Sequence, residues 1–109
     1  MSALIVLTLV GVIAQVARAA SASGVWRSTS GNTFTIPRSS TDFDIIIKTP
    51  KDQRFLGHGT WVAGKVGQQF TYTVDGYPNL TARCTFAPTT PNTMRVEGPA
   101  GVQYWVRVR

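Results

Sequence analysis

Downstream of Gly24 the chain keeps a two-residue rhythm of apolar and polar side chains. Phe34 and Ile36 alternate with Thr33 and Thr35, and Phe43, Ile45 and Ile47 with Asp42, Asp44 and Lys48. Phe70, Tyr72 and Val74 alternate with Gln69, Thr71, Thr73 and Asp75. Leu80, Ala82, Cys84 and Phe86 alternate with Thr81, Arg83 and Thr85. In the final stretch Val102, Tyr104, Val106 and Val108 alternate with Gln103, Trp105, Arg107 and Arg109. Successive side chains of a strand point to opposite faces, so a period of two sets one face against a core and the other in water. Thr, Val, Ile, Phe and Tyr fill these runs, and their branched or aromatic side chains suit a pleated surface. On this rhythm Val102, Tyr104, Val106 and Val108 are expected to point inward.

Turn chemistry separates the runs: Ser30-Gly31-Asn32, Thr49-Pro50-Lys51-Asp52, Gly64 to Gly67, Asp75-Gly76-Tyr77-Pro78-Asn79, Pro88 to Asn92, and Gly98-Pro99-Ala100-Gly101. The spacing predicts about eight strands, over 24–29, 32–37, 42–48, 58–63, 68–75, 79–86, 93–97 and 102–108, with a short edge piece at 53–56. The expected fold class is all-β: a small antiparallel up-and-down barrel or a sandwich. Side chains fill the inside of a barrel of such short strands, so a packed core is expected in place of a deep cavity. A weak repeat runs through the pattern. Gly24-Val25-Trp26, Gly31 and Phe34-Thr35 recur as Gly59-Thr60-Trp61, Gly67 and Phe70-Thr71. The repeat reads as a three-strand unit used twice and followed by a hairpin.

The first twenty residues follow other rules. Ala3 to Ala14 is an uncharged apolar run of 12 residues, too short to span a bilayer, which takes about 20. It suits the apolar core of a secretory signal. Ala17-Arg18-Ala19 supplies a small-x-small cleavage pattern, and Ala20-Ser21-Ala22 supplies a second. The expected organisation is a signal peptide over 1–19, with cleavage as late as 22, and a single barrel domain over 20–109. Such a chain is secreted or periplasmic and keeps no membrane span after cleavage.

Charge then narrows the partners. The chain carries 11 Lys and Arg against 5 Asp and Glu, a formal +6. Basicity favours acidic partners such as polyanionic wall polymers, lipid headgroups or nucleic acid, and the expected partner is an acidic polymer, a small ligand or an exported protein. No Lys/Arg-rich run occurs, so nucleic acid is not expected. The single cysteine, Cys84, excludes an intrachain disulfide. No cysteine lies near the N-terminus to carry a lipid.

Catalytic parts are scarce. Cys84 is in phase with Leu80, Ala82 and Phe86, which predicts a buried, inert thiol. His58, the one histidine, lies in Leu56-Gly57-His58-Gly59, which reads as a glycine-flanked turn and a poor setting for a general base. Asp42 and Asp44 share a wet face but nothing completes a cation shell. One Cys and one His give no zinc spacing. The glycines stand in hairpin turns, not ahead of a phosphate-binding helix. No cofactor and no enzyme activity are expected. Asn79-Leu80-Thr81 fits the glycosylation tripeptide, which has meaning only in a eukaryotic secretory route.

Gly24-Val25-Trp26, opening the first strand after the leader, resembles the Gly-x-Trp motif of lipocalins and related calycin barrels. The resemblance implies an eight-stranded barrel with Trp26 at its base, packed against an Arg from near the last strand, for which Arg107 is the match. The alternation pulls the other way: if Val106 and Val108 point inward, Arg107 points outward. Trp26 and Trp61 are expected as plugs at the barrel end. The binding surface expected from strand phase is an outer face of Arg83, Arg95, Trp105 and Arg107, an exposed indole among guanidinium groups suited to an anionic or sugar-like envelope ligand. The leading expectation is an exported, non-catalytic binding module. The alternatives are an inhibitor of an extracellular or wall-degrading hydrolase, acting through Ser39 to Asp42 or Pro88 to Asn92, and an envelope protein without a discrete ligand.

Overall fold

The structure, a computed structural model, describes residues 21–87 and 90–109. The predicted signal over 1–19 and its first cleavage pattern lie outside those residues, as do Pro88 and Thr89 of one predicted loop. The described residues form eight antiparallel strands: β1 Gly24–Ser28, β2 Thr33–Ile36, β3 Asp42–Lys48, β4 Arg54–Trp61, β5 Gln69–Val74, β6 Tyr77–Phe86, β7 Thr93–Gly98 and β8 Gly101–Arg107. Each pairs with the next, and β8 pairs with β1 to close the barrel. Closure removes the free edges that a sandwich of these strands would leave.

The core is the barrel interior. Phe34, Ile36, Phe43, Ile45, Phe70 and Cys84 are buried there with the three tryptophans. Aromatic rings knit it together edge to face. Phe43 meets Phe70 at 5.1 Å between centroids, and Phe70 meets Trp61 at 5.3 Å. Such pairs add about 0.5–1.5 kcal/mol each beyond area burial. The repeat is also a register: Trp26 stands opposite Phe34 in the β1–β2 ladder, and Trp61 stands opposite Phe70 in the β4–β5 ladder.

Two sequence expectations need correction. First, residues 53–56 and 58–63 are not an edge piece and a separate strand. Arg54–Trp61 is one strand, β4, and His58 lies in its middle instead of in a turn. Gly57 and Gly59 are strand glycines facing inward. A Cβ on Gly59 would lie 2.4 Å from Phe43 Cε2, so the glycine makes room for the ring on β3. Second, β8 stands in the opposite phase. Trp105 is fully buried, whereas Val102, Tyr104, Val106 and Val108 are about half exposed. The β7–β8 hairpin imposes this. Gly98 pairs with Gly101 across a two-residue loop, which places Met94 opposite Trp105 and Val96 opposite Gln103. Directly paired residues share a face, and Met94 and Val96 are core.

Candidate functional site: the outer wall and the barrel ends

The expected Arg/Trp face does not assemble. Arg83 and Arg95 are exposed on β6 and β7, but the indole meant to lie among them is inside. Trp105 stacks on Phe34 at 3.9 Å between centroids and lies 5.6 Å from Tyr72. Arg95 is engaged by Glu97 two residues on. Arg107 leaves the outer wall altogether.

Arg107 closes one end of the barrel. Its guanidinium lies 4.2 Å from the Trp26 ring centroid, the contact that the alternation argued against. The inverted phase of β8 turns Arg107 toward the barrel end. Its fork donates to Ser21 O at 2.7 Å, to Ser23 O and, through Nε, to Asn92 Oδ1 at 2.9 Å. Loss of water around the group lowers its pKa. Trp26 Nε1 donates to Ala22 O at 2.9 Å, and the Ala22 N–H donates to Ser39 Oγ at 3.3 Å. Residues 21–23 therefore form a strap over the plug. Trp61 stacks with Phe86 at 6.1 Å, and Trp26 meets the same ring edge-on at 5.9 Å. Asn92 and Ser39, from the two loops considered as inhibitory, spend their side chains on this closure.

The reactive side chains are committed elsewhere. Cys84 is buried, and burial pushes its thiol well above the ordinary range. His58 lies on the outer face between two carboxylates, with Nδ1 3.2 Å from Asp44 Oδ1 and Nε2 3.1 Å from Asp75 Oδ1. Its pKa is raised, mainly by the hydrogen bond to Asp75. An imidazolium can donate to both, whereas a neutral ring can donate to one only. Among the described residues no three Asp, Glu, His or Cys side chains converge on a possible metal position.

Size separates the remaining concavities. The open barrel mouth holds an apolar cup of about 170 Å³ walled by Phe34, Ile47, Phe55, Tyr72, Tyr77 and Leu80, among others. Small-molecule sites run to about 300–1,000 Å³, so this cup is small for one. An acidic hollow of about 390 Å³ lies by Asp42, Asp44 and His58, with Arg38 at its rim. The largest is an open groove of about 560 Å³ on the outer wall, lined by four cations, Arg27, Lys48, Arg54 and Arg109, with Val25, Ile46, Val108 and two threonines.

Ladder register explains the groove. Val106 faces Arg27, Arg27 faces Thr33, Thr33 faces Lys48 and Lys48 faces Arg54. One step along the strands, Val25 faces Thr35, Thr35 faces Ile46 and Ile46 faces Leu56. A cationic row thus runs beside an aliphatic row. Lys48 also reaches Asp52 at 2.9 Å, an exposed pair of small energetic weight. Arg27 comes from β1, Lys48 and Arg54 from the β3–β4 hairpin, and Arg109 from just beyond β8. Arg27, Lys48 and Arg54 each show the outward phase of their own strands, but the convergence of the four needs the register between strands, which a single strand does not display.

Comparisons with protein-family models, with curated proteins and with solved structures each found no match.

Proposed function

We propose that this chain is an exported, non-catalytic binding module that holds an anionic envelope partner on its outer wall. The observation that carries the reading is the groove formed by Arg27, Lys48, Arg54 and Arg109, the largest concavity described and lined by no acidic residue. The net charge of +6 acts in the same direction by raising the local concentration of anions and speeding encounter. Guanidinium forks grip carboxylate or phosphate in a fixed geometry. The sealed thiol and the doubly engaged imidazole leave neither group free as a nucleophile or base. The leader over 1–19 supplies the exported setting, and the Arg107–Trp26 contact supports a calycin-like barrel end.

The reading is tested with inorganic polyphosphate as the probe, by calorimetry at low and high salt. Wild type is expected to bind with an affinity that falls as salt rises. Arg27→Gln/Arg54→Gln is expected to bind at least tenfold more weakly, while Arg83→Gln, on another part of the wall, binds as wild type does. Equal loss in both variants, or no binding by wild type, removes the proposal.

A further inference from the structure

One strand of the wall carries a longer outward apolar line than any other. Around the barrel most inward positions are apolar and most outward positions are polar, such as Asp42, Asp44, His58, Arg83 and Glu97, with a single exposed aliphatic residue on each of β3 and β4, Ile46 and Leu56. That is the inverse of a membrane-spanning barrel, which turns apolar side chains outward around its whole girth. On β8 and just beyond it, however, the outward residues are Val102, Tyr104, Val106 and Val108, each about half exposed. They follow one another along a single line roughly 20 Å long, at about 3.3 Å per residue. A contiguous apolar line on a soluble surface marks a contact surface more often than a scatter of single residues does.

The line is continuous with the basic groove. Val108 belongs to both, and Val106 stands directly across the ladder from Arg27. Tyr104 stands opposite Arg95 on the other flank. A convex barrel touches a flat surface along one or two strands, and a lengthwise line of this kind is the shape such a contact needs. Charge selects the occupant. A second copy docked on the same line would bring Arg27 and Arg109 of both chains together. An anionic surface would meet them with opposite charge. A hydrophilic polymer would satisfy the cations and leave the valines in water. An anionic bilayer surface satisfies both rows: apolar side chains and the Tyr104 ring at the interface, Arg27 and Arg109 among the headgroups.

We infer that the outer face of β8, with Arg27 and Arg109 beside it, docks this barrel onto anionic lipid surfaces. This rests on the anion-binding reading above and names its partner. The test is co-sedimentation with vesicles of phosphatidylcholine alone or with phosphatidylglycerol, run beside polyphosphate binding. Every preparation carries the same N-terminus, checked by intact mass, so any contribution from the apolar leader cancels between variants. Wild type is expected to sediment with the anionic vesicles only. Val102→Thr/Tyr104→Thr/Val106→Thr keeps β-forming residues and is expected to lose at least tenfold in partitioning while binding polyphosphate unchanged. Arg27→Gln is expected to lose about fivefold.

Polyphosphate binding with equal sedimentation of wild type and the threonine variant overturns the lipid inference and spares the anion-binding reading. Failure on both probes removes both. A wild-type dimer that the threonine variant abolishes assigns the line to a second copy and overturns the inference. Should the threonine variant not fold, Val106→Cys carrying an environment-sensitive dye gives the answer, since buried Cys84 does not compete for label. A blue shift on anionic vesicles supports docking, and an unchanged spectrum overturns it.

Discussion

Strands β3 and β8 are each seven residues long, and both carry their large apolar side chains at alternate positions, with Ile46 of β3 as an outward exception. They stand in the wall in opposite senses. In β3, Phe43, Ile45 and Ile47 point inward and Asp42, Asp44 and Lys48 outward. In β8 the aliphatic set points outward, and Gln103, Trp105 and Arg107 point toward the interior or its end. Area alone does not choose between the two phases of β8. Burying an indole of about 200 Å² stabilises by about 5 kcal/mol at 25 cal/mol per Å². Burying two valines and a tyrosine instead would contribute as much or more. The hairpin decides. A two-residue loop fixes which residues face each other, and Met94 and Val96 on β7 already point inward. The alternation thus gives the period of a strand, while its partner gives the phase.

The largest test of this difference is Trp105→Ala. It is expected to cost about 3–5 kcal/mol in urea unfolding, the usual range for truncating a buried large aromatic. Val106→Thr, one residue away on the other face, is expected to stay within about 0.5 kcal/mol. A reversal of these two results would return β8 to the phase its apolar residues first predict. For β3 the corresponding probe is Gly59→Ala on the neighbouring β4, whose new Cβ would meet the Phe43 ring at 2.4 Å. A cost of about 1–3 kcal/mol is expected from overpacking, and the double variant Phe43→Leu/Gly59→Ala is expected to recover part of it. Equal stabilities of wild type and Gly59→Ala would show that the ring does not occupy that space.

Arg107→Met keeps the stem and removes the fork. A loss of about 1–2 kcal/mol is expected from the stacked guanidinium and its hydrogen bonds, with no recovery by Arg107→Lys, which carries charge without the planar fork. Thermal melts of the three proteins measure this directly. The smallest effect concerns His58 on the outer face of β4, beside Asp44 of β3. The folded pKa of His58 is raised, so the folded state holds its proton more tightly than the unfolded state, whose value is about 6.5. The contribution is whole below that value and is lost as pH rises through the folded pKa. Wild-type Tm is therefore expected to fall slightly on going from acid toward neutral and alkaline pH at low salt, and His58→Gln is expected to remove that component. Identical profiles would show that the two carboxylates do not hold the ring in solution.

Much of the barrel was legible in the sequence, because turn residues and a strict alternation mark its strands. The strand count, the antiparallel hairpins and the buried set from Phe34 to Phe86 follow from that pattern. Legibility failed where one residue type admits two meanings. Gly57 and Gly59 read as a turn, since glycine commonly marks one, but here each stands against a large side chain on the neighbouring strand. Val106 and Val108 read as core, since valine commonly is. The expected Arg/Trp surface failed with that assignment, because it inherited the phase of β8. The groove of Arg27, Lys48, Arg54 and Arg109 could not be read from any one strand, since it exists only where the ladders from β1 to β4 meet the segment after β8.

The strap of Ser21, Ala22 and Ser23 has a bearing on maturation. A peptidase cut behind Ala19 would release a polypeptide that still owns every carbonyl on which Trp26 and Arg107 depend. A cut behind Ala22 would discard two of them, the acceptors on Ser21 and Ala22, and leave a new ammonium group beside a guanidinium. Were the chain cut at either of the two predicted positions, only the earlier cut would yield a product able to finish its own lid.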